Sequence, residues 1–311
     1  MQARAPHAHD LNPTPTRTGF LSWALLIAEF ARARLVSAVT LSAATGYFMF
    51  SERVEAAVLL PGIGVFFLGC GCSAVNQIQE ARTDGRMDRT KNRPIPTGKL
   101  DLPTGWFIAI LMLLAGFCFL ASIEHHTYLI LGLGLFTLIW YHGVYTYLKI
   151  VTPFAVIPGA LLGVIPPLIG WCAAGGVWND PLILLVAFYF FVWQVPHFWL
   201  LMLLRGKEYE SAGLRSMTDI FDQRQFYRIT FIWLVAAAVT GYFIALFAML
   251  APWWSLAILI SSIWLVTKSL YFLRPHPQST KLRPAFLRSI VYTVLLMLFL
   301  SLDALTQPGI D

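Results

Sequence analysis

The chain has 311 residues, of which 58% are hydrophobic and only 12% charged, and its mean hydropathy is +0.67. That composition excludes an ordinary soluble domain and describes a protein whose surroundings are largely lipid. The formal net charge of +6 does not point to nucleic acid, because the cations sit between apolar runs of membrane-spanning length.

Residues 1–19, with Pro, His and Thr, read as a disordered lead without the apolar core and cleavage site of a signal peptide. FLSWALLIAEFAR at 20–32 has the make-up of an interfacial amphipathic helix. Apolar runs then recur at 33–51, 55–75, 102–122, 127–148, 154–174, 181–204, 229–250, 252–271 and 285–303. The expectation is an all-α polytopic protein with nine transmembrane helices. If the N-terminus is cytoplasmic, 21 of the 22 Lys and Arg residues fall in or beside cytoplasmic segments and only Arg53 lies outside. The positive-inside rule therefore predicts an inner-membrane, multi-pass protein with N-in and C-out topology. The domain reading is a lead over 1–32, one membrane domain over 33–303 and a short non-cytoplasmic tail over 304–311. Cys70, Cys72, Cys118 and Cys172 lack metal-ligand spacing and read as small apolar residues.

Charge concentrates in one stretch, NQIQEARTDGRMDRTKNRPIP at 76–96, which leaves the second span on its cytoplasmic side. Asn76, Glu80 and Asp84 recur every four residues, so on a continuing helix they drift by about 40° per step and share one face. An amide and two carboxylates at intervals of about 6 Å could be a solvated helix end or could hold Mg²⁺ ions that in turn hold a diphosphate. Arg82, Arg86, Arg89, Lys91 and Arg93 follow as partners for phosphate oxygens.

The fourth span ends in WYHGVYTYLK and brings Tyr145, Tyr147 and Lys149 to the same side, either as interfacial anchors or as phosphate contacts. Pro158, Gly159, Gly163, Pro166, Pro167 and Gly170 predict a broken, closely packed fifth span. Gln194 and His197 interrupt the apolar sixth span, where polar side chains face a bundle interior or a cavity. Glu208 follows about three helical turns after His197 on nearly the same face, and with Glu210, Asp219 and Asp222 makes a second acidic cluster. Trp253 and Trp254 suit an outer interfacial belt, and the 272–288 loop an anionic-lipid contact.

Two acidic clusters on one side of an apolar bundle suit an isoprenoid diphosphate, whose polar head needs cations and whose tail needs hydrocarbon. At this point N76-x3-E80-x3-D84, followed by RMDRTKNRPIP, resembles the first acidic motif of the UbiA superfamily of intramembrane prenyltransferases. YTYLK at 145–149, PGALLGVIPPLIGW at 158–171, WQVPHFW at 193–199 and EYESAG at 208–213 follow in that superfamily's order. The RT-x-NRP run is most similar to its haem-farnesylating members. The resemblance implies a UbiA-like nine-helix bundle, with farnesyl diphosphate and haem b as substrates and Mg²⁺ as cofactor. Farnesyl transfer to a haem vinyl group would give haem O for terminal oxidases, leaving room for a haem-biosynthesis or oxidase-assembly partner. It also implies catalytic roles for Asn76, Glu80, Asp84, Lys149 and His197, with metal held by Asn76, Glu80, Asp84 and Glu208. Substrate contacts would come from Arg82, Arg86, Arg89, Arg93, Tyr145, Tyr147, Gln194 and Glu208.

Glu80 stands where the family usually has Asp, Phe154 where it often has Asn, and Arg215 where it usually has Pro. These departures keep a quinone precursor or another aromatic acceptor open as the alternative. A transporter with moving kinked helices, or a haem-carrying assembly factor without turnover, are the readings from other classes.

Overall fold

The computed structural model describes residues 19–211, 215, 217–274 and 279–306, and every regular element among them is helical. A short helix α1 (Phe20–Phe30) precedes α2 (Ala33–Ser51) and α3 (Leu59–Gln79). A one-turn α4 (Ala81–Asp84) follows, and then a chain of turns leads to α5 (Leu102–Ala121). Phe20 is 91% and Leu21 72% exposed, the apolar surface expected of a helix lying in a membrane interface.

The fourth span is α6 (Thr127–Ile139), a π-helical segment at Trp140–Tyr145, and α7 (Thr146–Val151). The fifth is broken as its Pro and Gly content requires, into α8 (Val156–Ala160), a 3₁₀ turn at Leu161–Gly163, and α9 (Ile165–Ala173). Trp140 Nε1 donates to Pro158 O at 2.8 Å, satisfying a carbonyl at the break from a neighbouring helix. Then come α10 (Pro181–Ser211), with non-helical torsions at Arg205, α11 (Gln223–Phe247), α12 (Pro252–Ser269) and α13 (Leu282–Thr306).

Among the described residues, eight helical segments are long and apolar enough to cross a membrane, one short of the nine expected. The difference lies in α2: it has 19 residues, but Arg34, three Ser and two Thr dilute its apolar content. The seventh span begins earlier than expected, because Asp222 and Gln225 form a capping box. Asp222 Oδ1 accepts from Gln225 N at 2.8 Å, and Gln225 Oε1 from Asp222 N at 3.0 Å. Trp253 is 66% exposed, whereas Trp254 turns inward and packs on Phe299, with ring centroids 5.7 Å apart.

Glycines set the helix spacing. A Cβ on Gly170 of α9 would lie 1.8 Å from Ala43 O of α2, and one on Gly46 of α2 would lie 2.1 Å from Pro167 O of α9. On α5, a Cβ at Gly116 would lie 2.6 Å from Leu68 N of α3. These seams bring backbones into direct contact, the usual way helices pack where lipid supplies no hydrophobic drive between them. On the far side, α10 to α13 are tied by buried hydroxyls: Tyr189 Oη meets Thr293 Oγ1 at 2.7 Å, and Tyr292 Oη meets Ser262 Oγ at 2.9 Å.

Helices α2 and α3 run in opposite directions. At one end Gln77 of α3 donates to Phe30 O at 2.8 Å, next to the start of α2. At the other, the end of α2, the start of α3 and the ends of α5 and α9 surround a cavity of about 650 Å³.

Candidate functional site

The polar stretch after α3 folds back onto the end of the bundle. Glu80, with φ −95° and ψ 3°, caps α3 and separates it from α4, so the expected single helix is two pieces with a bend. The four-residue spacing survives the bend: Glu80 N donates to Asn76 O at 3.0 Å and Asp84 N to Glu80 O at 2.8 Å. Asn76 and Asp84 are 2% and 0% exposed. Thr90 Oγ1 donates to Asp84 O at 2.8 Å and holds the returning loop.

Each carboxylate meets a cation. Arg93 Nη1 lies 2.5 Å from Asp84 Oδ2, with side chains 13% and 1% exposed. Lys149, reaching in from α7, pairs with Glu80. Its ammonium also lies 5.8 Å from the centroid of the Tyr145 ring, within the range of cation–π attraction. Tyr145 in turn packs against Gly159, where a Cβ would come within 2.5 Å of the ring. Burial, then the like charge of Arg32, pushes the Arg93 guanidinium down to about 10, with Asp84 opposing the shift. Arg93 therefore stays a cation at neutral pH.

Arg32 is a member of this group that sequence reasoning missed. It occupies the joint between α1 and α2 with φ 51°, a left-handed conformation that a non-glycine residue seldom adopts, and its Nε is buried without a partner. The only signal was ARAR at the mouth of the first span, which reads as an ordinary topology anchor. His142 is a second omission: it lies in the π-helical segment, and its Nδ1 meets Gln79 Oε1 at 2.8 Å.

The remaining expected residues divide. Arg82, Arg86 and Arg89 are exposed, although Arg89 is near enough to act on Arg93. Tyr147 is 61% exposed. Gln194 packs against Gly163 in the broken fifth span. His197 is stacked between Trp193 and Phe286, with centroid distances of 4.8 and 4.7 Å, and its Nδ1 is buried without a partner. Of the second acidic cluster, the Glu208 and Glu210 side chains lie outside the described residues, whereas Asp219 and Asp222 are exposed and Asp222 is taken up in capping α11.

No group of three or more His, Cys, Asp or Glu among the described residues is placed to hold a metal. What the first face does offer is two carboxylates and an amide, with Asn76 Oδ1 and Asp84 Oδ1 both buried and unpartnered. Oxygen donors of this kind fit Mg²⁺, which takes one or two carboxylates and completes its shell with water and substrate phosphate.

A profile of the UbiA prenyltransferase family matches residues 19–291. The protoheme IX farnesyltransferase of Nitratidesulfovibrio vulgaris is 34% identical over 203 residues, covering 65% of this chain and 70% of that protein. The protein of that name from Flavobacterium psychrophilum is 30% identical over 285 residues, covering 88% and 93%. Among solved structures, one of a digeranylgeranylglyceryl phosphate synthase superposes with a TM-score of 0.73 at 15% identity, covering 91% of this chain and 98% of that one. A UbiA homologue from Archaeoglobus fulgidus bound to GPP and Mg²⁺ gives 0.59 at 12%, covering 89% and 99%. At those identities the likeness is one of fold.

Proposed function

Because the chain belongs to the UbiA prenyltransferase family, we propose that it transfers the farnesyl group of farnesyl diphosphate to a vinyl side chain of haem b, giving haem O. The observation that carries this reading is the face of Asn76, Glu80 and Asp84 at one end of an apolar bundle, set against Arg93 and Lys149. A relative 34% identical over 203 aligned residues bears the name of that activity.

Asn76, Glu80 and Asp84 would hold Mg²⁺, joined by Glu208 from the second cluster. When bound, the metal neutralises charge on the departing diphosphate. Lys149 and Arg93 grip its oxygens, with Arg32 completing the cationic rim and Tyr145 steadying Lys149. Arg82, Arg86 and Arg89 stand further out and draw the anion in. The surrounding apolar helices exclude water from the allylic cation until a vinyl carbon attacks it. His197, between Trp193 and Phe286, together with Gln194, would meet the flat acceptor. Ionisation breaks the C1–O bond with its electron pair leaving on diphosphate. The vinyl π pair forms the new C–C bond, and water then adds to the resulting cation with loss of a proton.

The ninth span in this reading is α2, whose two ends reach the same two ends of the bundle as α3. The membrane domain covers 33–303, between the 1–32 lead and a 304–311 tail, with the N-terminus cytoplasmic, the C-terminus outside and the inner membrane as the site. A haem-biosynthesis or oxidase-assembly partner would deliver or receive the haem.

Purified protein supplied with Mg²⁺, farnesyl diphosphate and haem b is expected to release pyrophosphate and form haem O, with Glu80→Ala and Asp84→Ala variants inactive. Arg215, exposed and standing where the family usually has Pro, favours a second acceptor, an aromatic acid such as a quinone precursor. Pyrophosphate release with that acceptor but not with haem b would select it, and haem binding without any product would reduce the protein to a carrier.

A further inference from the structure

Resting on the diphosphate site above, we propose that Lys149 exchanges between two anions, its partner Glu80 and the incoming diphosphate, so that divalent cation and diphosphate enter together. Both carboxylates are claimed by cations: Glu80 by Lys149 and Asp84 by Arg93 at 2.5 Å. All four side chains are largely buried, from 1% exposed for Asp84 to 23% for Lys149.

A metal ion arriving alone must displace Lys149 from Glu80. It then leaves the ammonium unpaired in a buried position close to Arg32, an unfavourable arrangement. A diphosphate arriving alone meets Glu80 and Asp84 with no ion between. Arriving together, the metal takes the carboxylates and the unpartnered oxygens of Asn76 and Asp84, while the diphosphate takes the released Lys149. Each ligand removes the obstacle to the other, and such coupling is reciprocal. The length of the Glu80 arm matters here. An Asp at 80 is shorter by one methylene and would draw the carboxylate away from Lys149, weakening the resting pair without removing the charge.

The test is a thermal-shift titration of the full-length protein in detergent with magnesium chloride, with and without sodium pyrophosphate. For the wild type, the apparent Mg²⁺ affinity is expected to rise about tenfold or more when pyrophosphate is present. Lys149→Met and Glu80→Asp should each bind Mg²⁺ more tightly than wild type in the absence of pyrophosphate, and the enhancement by pyrophosphate should shrink. Wild-type protein that binds Mg²⁺ equally well with and without pyrophosphate would overturn the exchange, as would variants with unchanged affinity for the metal alone. If Mg²⁺ and pyrophosphate together produce no shift in wild type, the diphosphate site itself is refuted, a result distinct from loss of the coupling.

Discussion

Asp84 and Arg93 form a buried ion pair whose partners depend on each other. Removing one leaves the other charged and desolvated, which typically costs 3–5 kcal/mol in such settings. Arg93→Met and Asp84→Leu are therefore each expected to lower the melting temperature of the purified protein by several degrees, with the double variant melting above either single one. A double variant no better than the worse single would show that the pair is not the source. Two neighbouring tyrosines give a sharper contrast. Tyr145 lies under the Lys149 ammonium and Tyr147 is 61% exposed, so Tyr145→Ala should reduce turnover about tenfold, some 1.4 kcal/mol of barrier. Tyr147→Ala should leave it near wild type. Sequence alone treated the two alike, because both reach the same helix end. Asn76, Glu80 and Asp84 were legible because their relation is local and periodic. Arg32 was not, because Arg93 and Lys149 come to it from distant parts of the chain.

At the level of helices, the same distinction between local and distant information recurs. Proline and glycine announced the break in the fifth span, and apolar runs located eight crossings to within a few residues. The bend at Glu80 and the π-helical segment at Trp140–Tyr145 left no comparable mark. They depend on what packs against them, including the bond from Trp140 to Pro158 O. The seam of α3 with α5 is testable. A Cβ at Gly116 would press on the α3 backbone, whereas Gly132 of α6 has nothing within 4 Å. Gly116→Ala should destabilise the protein by about 1–3 kcal/mol, read as a lower melting temperature. Turnover should fall with it, because α3 carries Asn76 and leads into Glu80. Gly132→Ala should melt as wild type does.

For the whole molecule, the count of crossings decides where the termini lie, and α2 decides the count. With α2 as a span, single cysteines placed at Gly19 and Glu52 on a cysteine-free background are on opposite sides of the membrane, because α2 alone separates them. An impermeant thiol reagent should then label the Glu52→Cys protein in intact cells and the Gly19→Cys protein only after permeabilisation. Labelling of both in intact cells, or of neither, would make α2 a surface helix and put the two termini on one side. The asymmetry of Lys and Arg makes this topology an expectation that composition alone supplies. The acceptor proposed to meet His197 was not legible to the same degree, because its neighbours Trp193 and Phe286 come together only in the fold.

Phosphate-binding proteins commonly seat their ligand at the start of a helix, where free amides and the helix dipole favour an anion. Here α3 and the fourth span both point their finishing ends at the charged cluster. Each aligned helix presents roughly half a negative charge there, so the backbone field attracts a cation and repels a diphosphate. The peptide groups of these two helices thus cannot hold the anion, and binding falls to side-chain cations and a divalent ion. Chelation of the metal with EDTA is accordingly expected to release a bound isoprenoid diphosphate, not merely to stop its ionisation, as equilibrium dialysis with labelled ligand would show.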